Sequence, residues 1–399
     1  MALLINRAIG SIQPHARQLL LVHGSRLQAA NLPCTTQVAK LTTTHGQPAK
    51  RKHPAWPYKT RPYNEFYQFM DHTRKRFDDN TKIILIEGNI GVGKSWFGKQ
   101  IADEFDMKFI PDLKDQEIFI TGDGFDLRNL NERLPPRSGF CDLETFYGQS
   151  GPPALLNTFG RTLLMLYYHH YLYYVEALEH VLNTGQGVVM ERGVFSHMVF
   201  HNVLRRMGYL SANALKYLNF VYDNTVCEMW RPHLVVYVDA PLDFTRTMIN
   251  KRNIAWESKS PVIQDDFLTL MDKVYKEKYL PYMSKYSEVV SYDITDLPDW
   301  EIIVEELEGL DLDNPPFDNE DKFKHWQSEF EDDYNLMRMN LAKKWQVNNL
   351  FTMGVPWDAP EMLVHPDDDE VFRQLVKEHP EVKYQKGYNP EKNNVLLKW

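Results

Sequence analysis

The sequence predicts an α/β domain, a doubly wound parallel five-stranded sheet flanked by helices, followed by a C-terminal extension. Three observations carry this expectation. Five short apolar runs, from Lys82 to Ile86, Met107 to Ile110, Gly187 to Met190, Leu234 to Val238 and Val289 to Tyr292, alternate with segments of helical character. A glycine-rich stretch from Gly88 to Ser95 stands directly between the first run and a helix. Beyond Leu310 the composition changes to Asp-Leu-Asp-Asn-Pro-Pro and then to acidic chain rich in tryptophan.

The first forty or so residues space Arg7, Arg17, Arg26 and Lys40 among Leu3, Leu4, Ile5, Ile9, Ile12, Leu19 and Leu20, and no Asp or Glu precedes Glu65. A basic amphipathic leader of this kind reads as a mitochondrial transit peptide, because import uses positive charge and an apolar face together. The organisation that follows is a transit peptide over 1–45, cut between Leu32 and Pro48, an extended leader over 46–80, a P-loop domain over 81–310 and a docking extension over 311–399. Pro48, Pro54, Pro57 and Pro62 keep the leader irregular.

Within the domain, each apolar run is continuous rather than alternating, the pattern of a strand buried on both faces. A helix is expected from Lys94 to about Phe105. The longest helix is expected from Ala154 to Leu182, stopped by Asn183-Thr184-Gly185, with apolar positions around most of its circumference. Others are read over Ala212 to Met229 and Leu242 to Arg252, and in the extension over Lys322 to Leu341 and Asp368 to Glu378.

Composition excludes several classes. With 43% hydrophobic and 25% charged residues the chain is an ordinary globular one, and no apolar run is long enough to span a bilayer. Cys34, Cys141 and Cys227 are far apart, odd in number and without metal-ligand spacing, which argues for a reducing compartment. The net charge of −9 includes nine basic residues before Glu65, so the remainder holds 36 basic against 54 acidic residues. An acidic body argues against a nucleic-acid partner and for small molecules or basic protein surfaces.

Gly88-Asn89-Ile90-Gly91-Val92-Gly93-Lys94-Ser95 matches G-x-x-x-x-G-K-[ST] in the strand-to-helix setting that the motif requires. Such glycines let backbone N–H groups close around phosphate oxygens at a helix N-terminus. Lys94 is positioned to neutralise the terminal phosphates and Ser95 to touch Mg²⁺. Glu191-Arg192 ends another buried run, at the carboxyl edge where open α/β sheets bind ligands. There Glu191 suits a sugar hydroxyl or a metal and Arg192 a phosphate, unless the two form a structural ion pair. Asp112 ends the Met107 run and reads either as a base toward a hydroxyl or as a strand-ending Pro-Asp turn. Arg246, Lys251 and Arg252 read either as a basic lid or as the solvated face of a helix.

The glycine loop, the Glu191-Arg192 strand end, the Tyr237-Val238-Asp239-Ala240-Pro241 turn and the aromatic segment from Asp266 to Tyr282 together resemble the deoxynucleoside kinases over about Lys82 to Leu310. The leader, the run from Gly185 to Arg192 and the long extension resemble a branch of that family found as accessory subunits of respiratory complex I. That resemblance implies a nucleoside-kinase-like fold, a purine (deoxy)nucleotide with Mg²⁺ on Gly88, Asn89, Gly91, Gly93, Lys94, Ser95, Glu191, Arg192, Arg246 and Arg252, and other complex I subunits as partners. The location it implies is the matrix side of the inner membrane. A flavin has been associated with the branch, but no G-x-G-x-x-G pattern supports FAD here.

The sequence also departs from the active kinases. Asp112 stands where they carry a catalytic Glu, and a side chain one methylene shorter displaces the base from its target. No Gln occurs between Ser150 and Gln186, where they read the base; Gly193 replaces a Ser; and the lid arginines are thinned. The expectation is a non-catalytic scaffold with a retained nucleotide site and a vestigial Asp112, docked through Trp326, Trp345, Trp357 and Trp399. The alternative is an active mitochondrial deoxynucleoside kinase.

Overall fold

The structure, a computed structural model, describes residues 41–44, 53–121 and 124–379. The leader up to Lys40, Cys34 and Trp399 therefore lie outside the described residues. Each of the five apolar runs becomes a strand: β1 (Ile83–Gly88), β2 (Lys108–Ile110), β3 (Val188–Glu191), β4 (Leu234–Asp239) and β5 (Glu288–Asp293). The principal helices are α1 (Lys94–Glu104), α2 (Phe159–Thr184), α3 (His197–Arg206), α4 (Ala212–Val226), α5 (Leu242–Arg252), α6 (Asp265–Val274), α7 (Trp300–Gly309), α8 (Glu331–Ala342), α9 (Lys344–Leu350) and α10 (Pro366–Glu378).

All strand pairs are parallel, in the order β2-β3-β1-β4-β5. The chain builds one side of β1 with β2 and β3 and then crosses to the other with β4 and β5, which opens a crevice at the carboxyl edge. The continuous apolar runs follow from burial on both faces. Ile83 and Leu85 belong to the core that contains Tyr171, Tyr174 and Leu178 of α2. Ile84 and Ile86 belong to a second core, with Phe97 and Ile101 of α1 and Ile303 and Leu307 of α7.

The long helix begins later than its apolar pattern suggests. Pro153–Leu156 forms a separate turn, closed where the Thr158 hydroxyl donates to the Leu155 carbonyl, and α2 starts at Phe159. Its end falls where expected, with Gly185 in the left-handed region (φ 75°) donating its N–H to Val181. The expected helix from Lys322 is likewise shortened. Phe323 takes a left-handed conformation (φ 58°) to enter the second core, and only a single turn over Lys324–Trp326 precedes α8. Helix α3 has no counterpart in the sequence reading.

The extension packs on the domain rather than standing apart. Arg338 of α8 donates to Asn183 Oδ1 (2.9 Å), Thr73 Oγ1 (2.9 Å) and Asp71 Oδ2 (2.8 Å), and its guanidinium stacks 3.6 Å from the Tyr63 ring. Asp368 of α10 accepts two bonds from Arg137, at 2.7 and 2.9 Å. Trp326 meets Trp230 edge-on at 4.9 Å and donates its indole N–H to the Arg231 carbonyl. Of the tryptophans expected to dock on a partner, Trp326 is therefore part of an internal cap. Trp345 and Trp357 remain 59% and 92% exposed. No helix among the described residues is long and apolar enough to cross a membrane.

Candidate functional site

The crevice is lined by the loop after β1. Gly88, Gly91 and Gly93 all have positive φ (149°, 80° and 90°). At Gly88 a side chain is impossible, since a Cβ would lie 2.5 Å from the Val238 carbonyl oxygen, whereas at Gly93 it would meet nothing within 4 Å. The first glycine thus lets the loop sit against β4, and the third leaves an open cradle above the start of α1. Asn89 fastens this loop: its Nδ2 donates to Leu268 and its Oδ1 accepts from the Ile90 N–H. Gly93 caps α1 without a side-chain acceptor, leaving the helix N-terminus to an anion.

Lys94 is buried, and its Nζ donates to the Asn89 carbonyl at 2.7 Å. Burial, with Arg192 adding repulsion, lowers its pKa to about 8. Ser95 is exposed on the first turn of α1. At the end of β3, Glu191 is buried and Arg192 takes a left-handed backbone (φ 57°), its N–H donating to Ile86 of β1. The Arg192 guanidinium lies over Phe200 at 4.6 Å, with Nε 3.6 Å from Asp112 Oδ2. Asp112 Oδ1 accepts from the Leu113 N–H and faces His170 Nε2 at 3.0 Å. Burial pushes Asp112 up, but Arg192 and the His170 hydrogen bond outweigh it and hold the carboxyl well below the usual range.

Gly88 to Ser95, Asp112, Glu191 and Arg192 are therefore gathered at one edge of the sheet. Arg246 and Arg252 are turned to other uses. Arg246 pairs with Asp265 (2.6 Å) and donates to the Ile263 carbonyl, while Arg252 pairs with Glu257 (3.0 Å). Burial raises the pKa of Glu257, and the charges of Arg252 and Lys94 oppose that rise.

Several residues of the site were not read from sequence. Glu87, at the end of β1, is fully buried and accepts from the Gly193 N–H (2.9 Å), the Tyr279 hydroxyl (3.1 Å) and the Tyr275 hydroxyl (3.2 Å). Both tyrosines lie in a π-turn, Tyr275–Tyr279, that continues α6. Behind Asp112 runs a file of imidazoles. His170 Nδ1 lies 2.9 Å from His197 Nε2, and the His197 and His201 rings are 5.8 Å apart. Neither ring nitrogen of His201 makes a hydrogen bond, and burial lowers its pKa to about 3. The available signals were the polar His169-His170 pair inside an apolar helix and the i, i+4 spacing of His197 and His201.

The fit to a nucleotide rests on orphaned atoms around the cradle. Arg192 Nε, Thr245 Oγ1 and Glu257 Oε2 are buried without a hydrogen bond, and all three belong to residues that flank the loop. The chemistry of these atoms fits such a ligand: Arg192 and Thr245 offer donors that a phosphate would accept from, and Glu257 an acceptor for a sugar or base N–H or O–H. The Ser95 hydroxyl and Glu191 carboxylate are oxygen donors of the kind that Mg²⁺ takes beside phosphate. No cluster of three His, Cys, Asp or Glu that could hold a metal ion occurs among the described residues.

A parallel sheet, a glycine loop opening onto a helix and carboxylate and guanidinium groups at the strand ends define a nucleoside-kinase type of P-loop protein. The sequence profile described as deoxynucleoside kinase matches residues 84–330, and the chain belongs to that family. It is 33% identical to the protein named NADH dehydrogenase [ubiquinone] 1 alpha subcomplex subunit 10, mitochondrial, of Bos taurus, over 82% of this chain and 89% of the relative. The Mus musculus protein of the same name is 31% identical, over 80% of this chain and 84% of the relative. Among solved structures, deoxyadenosine kinase from M. mycoides with bound dATP is 16% identical, covering 57% of this chain and all of that one at a TM-score of 0.41.

Proposed function

We propose that the chain is an accessory, non-catalytic subunit of mitochondrial NADH:ubiquinone oxidoreductase, on the matrix side of the inner membrane, with a purine (deoxy)nucleotide and Mg²⁺ retained on its P-loop. The observation that carries this reading is the reach of the likeness. Relatives bearing the complex I subunit name align over 322 to 328 residues, a span longer than the kinase match at 84–330, so segments flanking the kinase domain are shared as well.

The geometry supports it in two ways. Asp112, the carboxylate placed to act as a base, is committed to His170 and Arg192, and a carboxylate held so far down in pKa is a weak base. The most exposed of the large apolar side chains lie on the leader and the extension: Phe66, Phe69, Met70, Phe317, Phe330 and Trp357. Aromatic and Met side chains exposed in this way suit docking on other subunits. A flavin forms no part of the reading, since the cradle ends in the Lys94-Ser95 pair of a phosphate clamp.

The test is size fractionation of gently solubilised mitochondria, following this chain beside NADH dehydrogenase activity and extracting nucleotide from the same fraction. Co-migration in a very large assembly, with nucleotide recovered, is the expected result. A small free species that phosphorylates deoxynucleosides, and loses that activity in Lys94→Ala, overturns the proposal in favour of an active mitochondrial kinase.

A further inference from the structure

Residues 41–44 fall inside the stretch that composition assigns to a removable leader, yet they are built into the body of the protein. Leu41 is 2% exposed and belongs to the same core as Ile84 of β1, Phe105, Met107, Leu307 of α7 and Leu312. The three backbone N–H groups that follow are all satisfied by the domain. Thr42 donates to Asn80 Oδ1 (2.8 Å), Thr43 to Glu308 Oε1 (2.8 Å) and Thr44 to the Glu104 carbonyl (3.1 Å). Asn80 closes a ring with this segment, since its Nδ2 donates to the Thr42 carbonyl (2.6 Å) and to that of Phe105 (3.0 Å). The segment therefore joins the approach to β1, the end of α1 and the end of α7, three elements with no covalent link nearby.

We infer that Leu41 to Thr44 is a retained amino-terminal anchor, and that leader removal is hydrolysis of a peptide bond on the amino-terminal side of Leu41. Water gives its hydroxyl to the new carboxyl group of the leader and its remaining hydrogen to the new amino terminus. A segment discarded on import has no part in the packing of the mature protein, whereas this one seals the second core and uses the last carbonyl of α1. Arg7, Arg17, Arg26 and Lys40, the charges that suit import, all precede Leu41. The window from Leu32 to Pro48 thus narrows to its part before Leu41, and the boundary at 45 moves upstream.

The inference rests on the mitochondrial reading above, and one experiment separates the two. The protein is isolated from mitochondria, its free amino terminus is tagged with an amine-reactive label before digestion, and the labelled peptide is sequenced by mass spectrometry. A first residue at Leu41 or earlier, with the leader absent, is expected. A mitochondrial chain that begins after Leu41, or one that keeps Met1, overturns the inference while leaving the location intact. Full-length chain found outside mitochondria overturns the location and the inference together. On the processed chain, Leu41→Asp is expected to lower Tm by about 5 °C or more; an unchanged Tm also overturns the anchor.

Discussion

His170 Nε2 lies 3.0 Å from Asp112 Oδ1, across 58 residues of sequence, and this contact decides what the carboxylate does. With Arg192 on its other side, 3.6 Å away, Asp112 is part of a charge cluster at the sheet edge. Replacing it by Asn keeps the shape but removes the charge that Arg192 and His170 face. Asp112→Asn is expected to destabilise by about 1–3 kcal/mol, read as a lower urea midpoint at unchanged m. Nucleotide affinity should stay within a few-fold by calorimetry. A loss of affinity above a hundredfold would place Asp112 in the binding site proper.

Lys94 is the test of the cradle. Its ammonium is the buried cation nearest the open loop, and charge-assisted bonds of this kind contribute about 1.5–3 kcal/mol. Lys94→Ala should therefore weaken ATP binding by about tenfold to a hundredfold. Equal affinity in the variant means that nucleotide, if recovered, sits elsewhere.

The same side chain sets a pH dependence. Burial lowers its pKa to about 8, so in the empty cradle it loses its proton above that value. Phosphate favours the protonated form, so affinity should be level up to about pH 7 and fall as pH rises through 8. The fall should approach about tenfold per pH unit, with proton uptake on binding. Titrations at pH 7 and pH 9 in two buffers of different ionisation enthalpy check both the fall and the uptake, and a flat profile contradicts the placement of Lys94.

The strands and the cradle were legible in the sequence because each has a local cause. A strand covered on both faces, such as Ile83–Gly88, must be apolar throughout, and a phosphate loop must hold glycines at fixed spacing next to its Lys. The partner of Asp112 was not legible, because nothing local joins residue 112 to residue 170. Helix α3 was missed for a related reason: His197 and His201 point inward, so the stripe that marks its buried face is interrupted by polar letters. The lid arginines keep two readings in sequence because their partners, Asp265 at the first position of α6 and Glu257 in a single helical turn over Ala255–Ser258, lie on separate elements that no local signal joins to Arg246 and Arg252.

His201 should make the fold sensitive to acid. Burial lowers its pKa to about 3 from an unfolded value near 6.5, so the unfolded chain binds the proton first. Its contribution to stability is complete above about pH 6.5 and is lost as pH falls below it. The slope for one such group approaches about 1.4 kcal/mol per pH unit. His197, also lowered by burial, acts in the same direction. His201→Leu should shrink the difference between urea stabilities at pH 7 and pH 5 without abolishing it; an unaltered difference argues against burial of the neutral ring.

Arg338 offers the clearest test of whether the extension and the kinase domain are one folding unit. Its side chain is fully buried and joins three segments: the end of α2 through Asn183, the leader through Asp71, Thr73 and the Tyr63 ring, and α8 itself. Removing the guanidinium leaves the Asp71 carboxylate, shared with Arg76, without one of its two cations, and it leaves Asn183 and Thr73 short of donors. Breaking a buried pair from one side costs about 3–5 kcal/mol. If leader, extension and domain unfold together, Arg338→Ala lowers the single transition of the whole chain, seen alike by tryptophan fluorescence and far-ultraviolet circular dichroism. If the extension is a separate unit, the chain unfolds in two transitions, the variant lowers only the one that belongs to the extension, and nucleotide binding survives at full affinity. The contacts of Arg338 with both α2 and the segment leading into β1 favour the single transition, so loss of this one side chain should also reduce nucleotide binding at temperatures where the unaltered protein is folded.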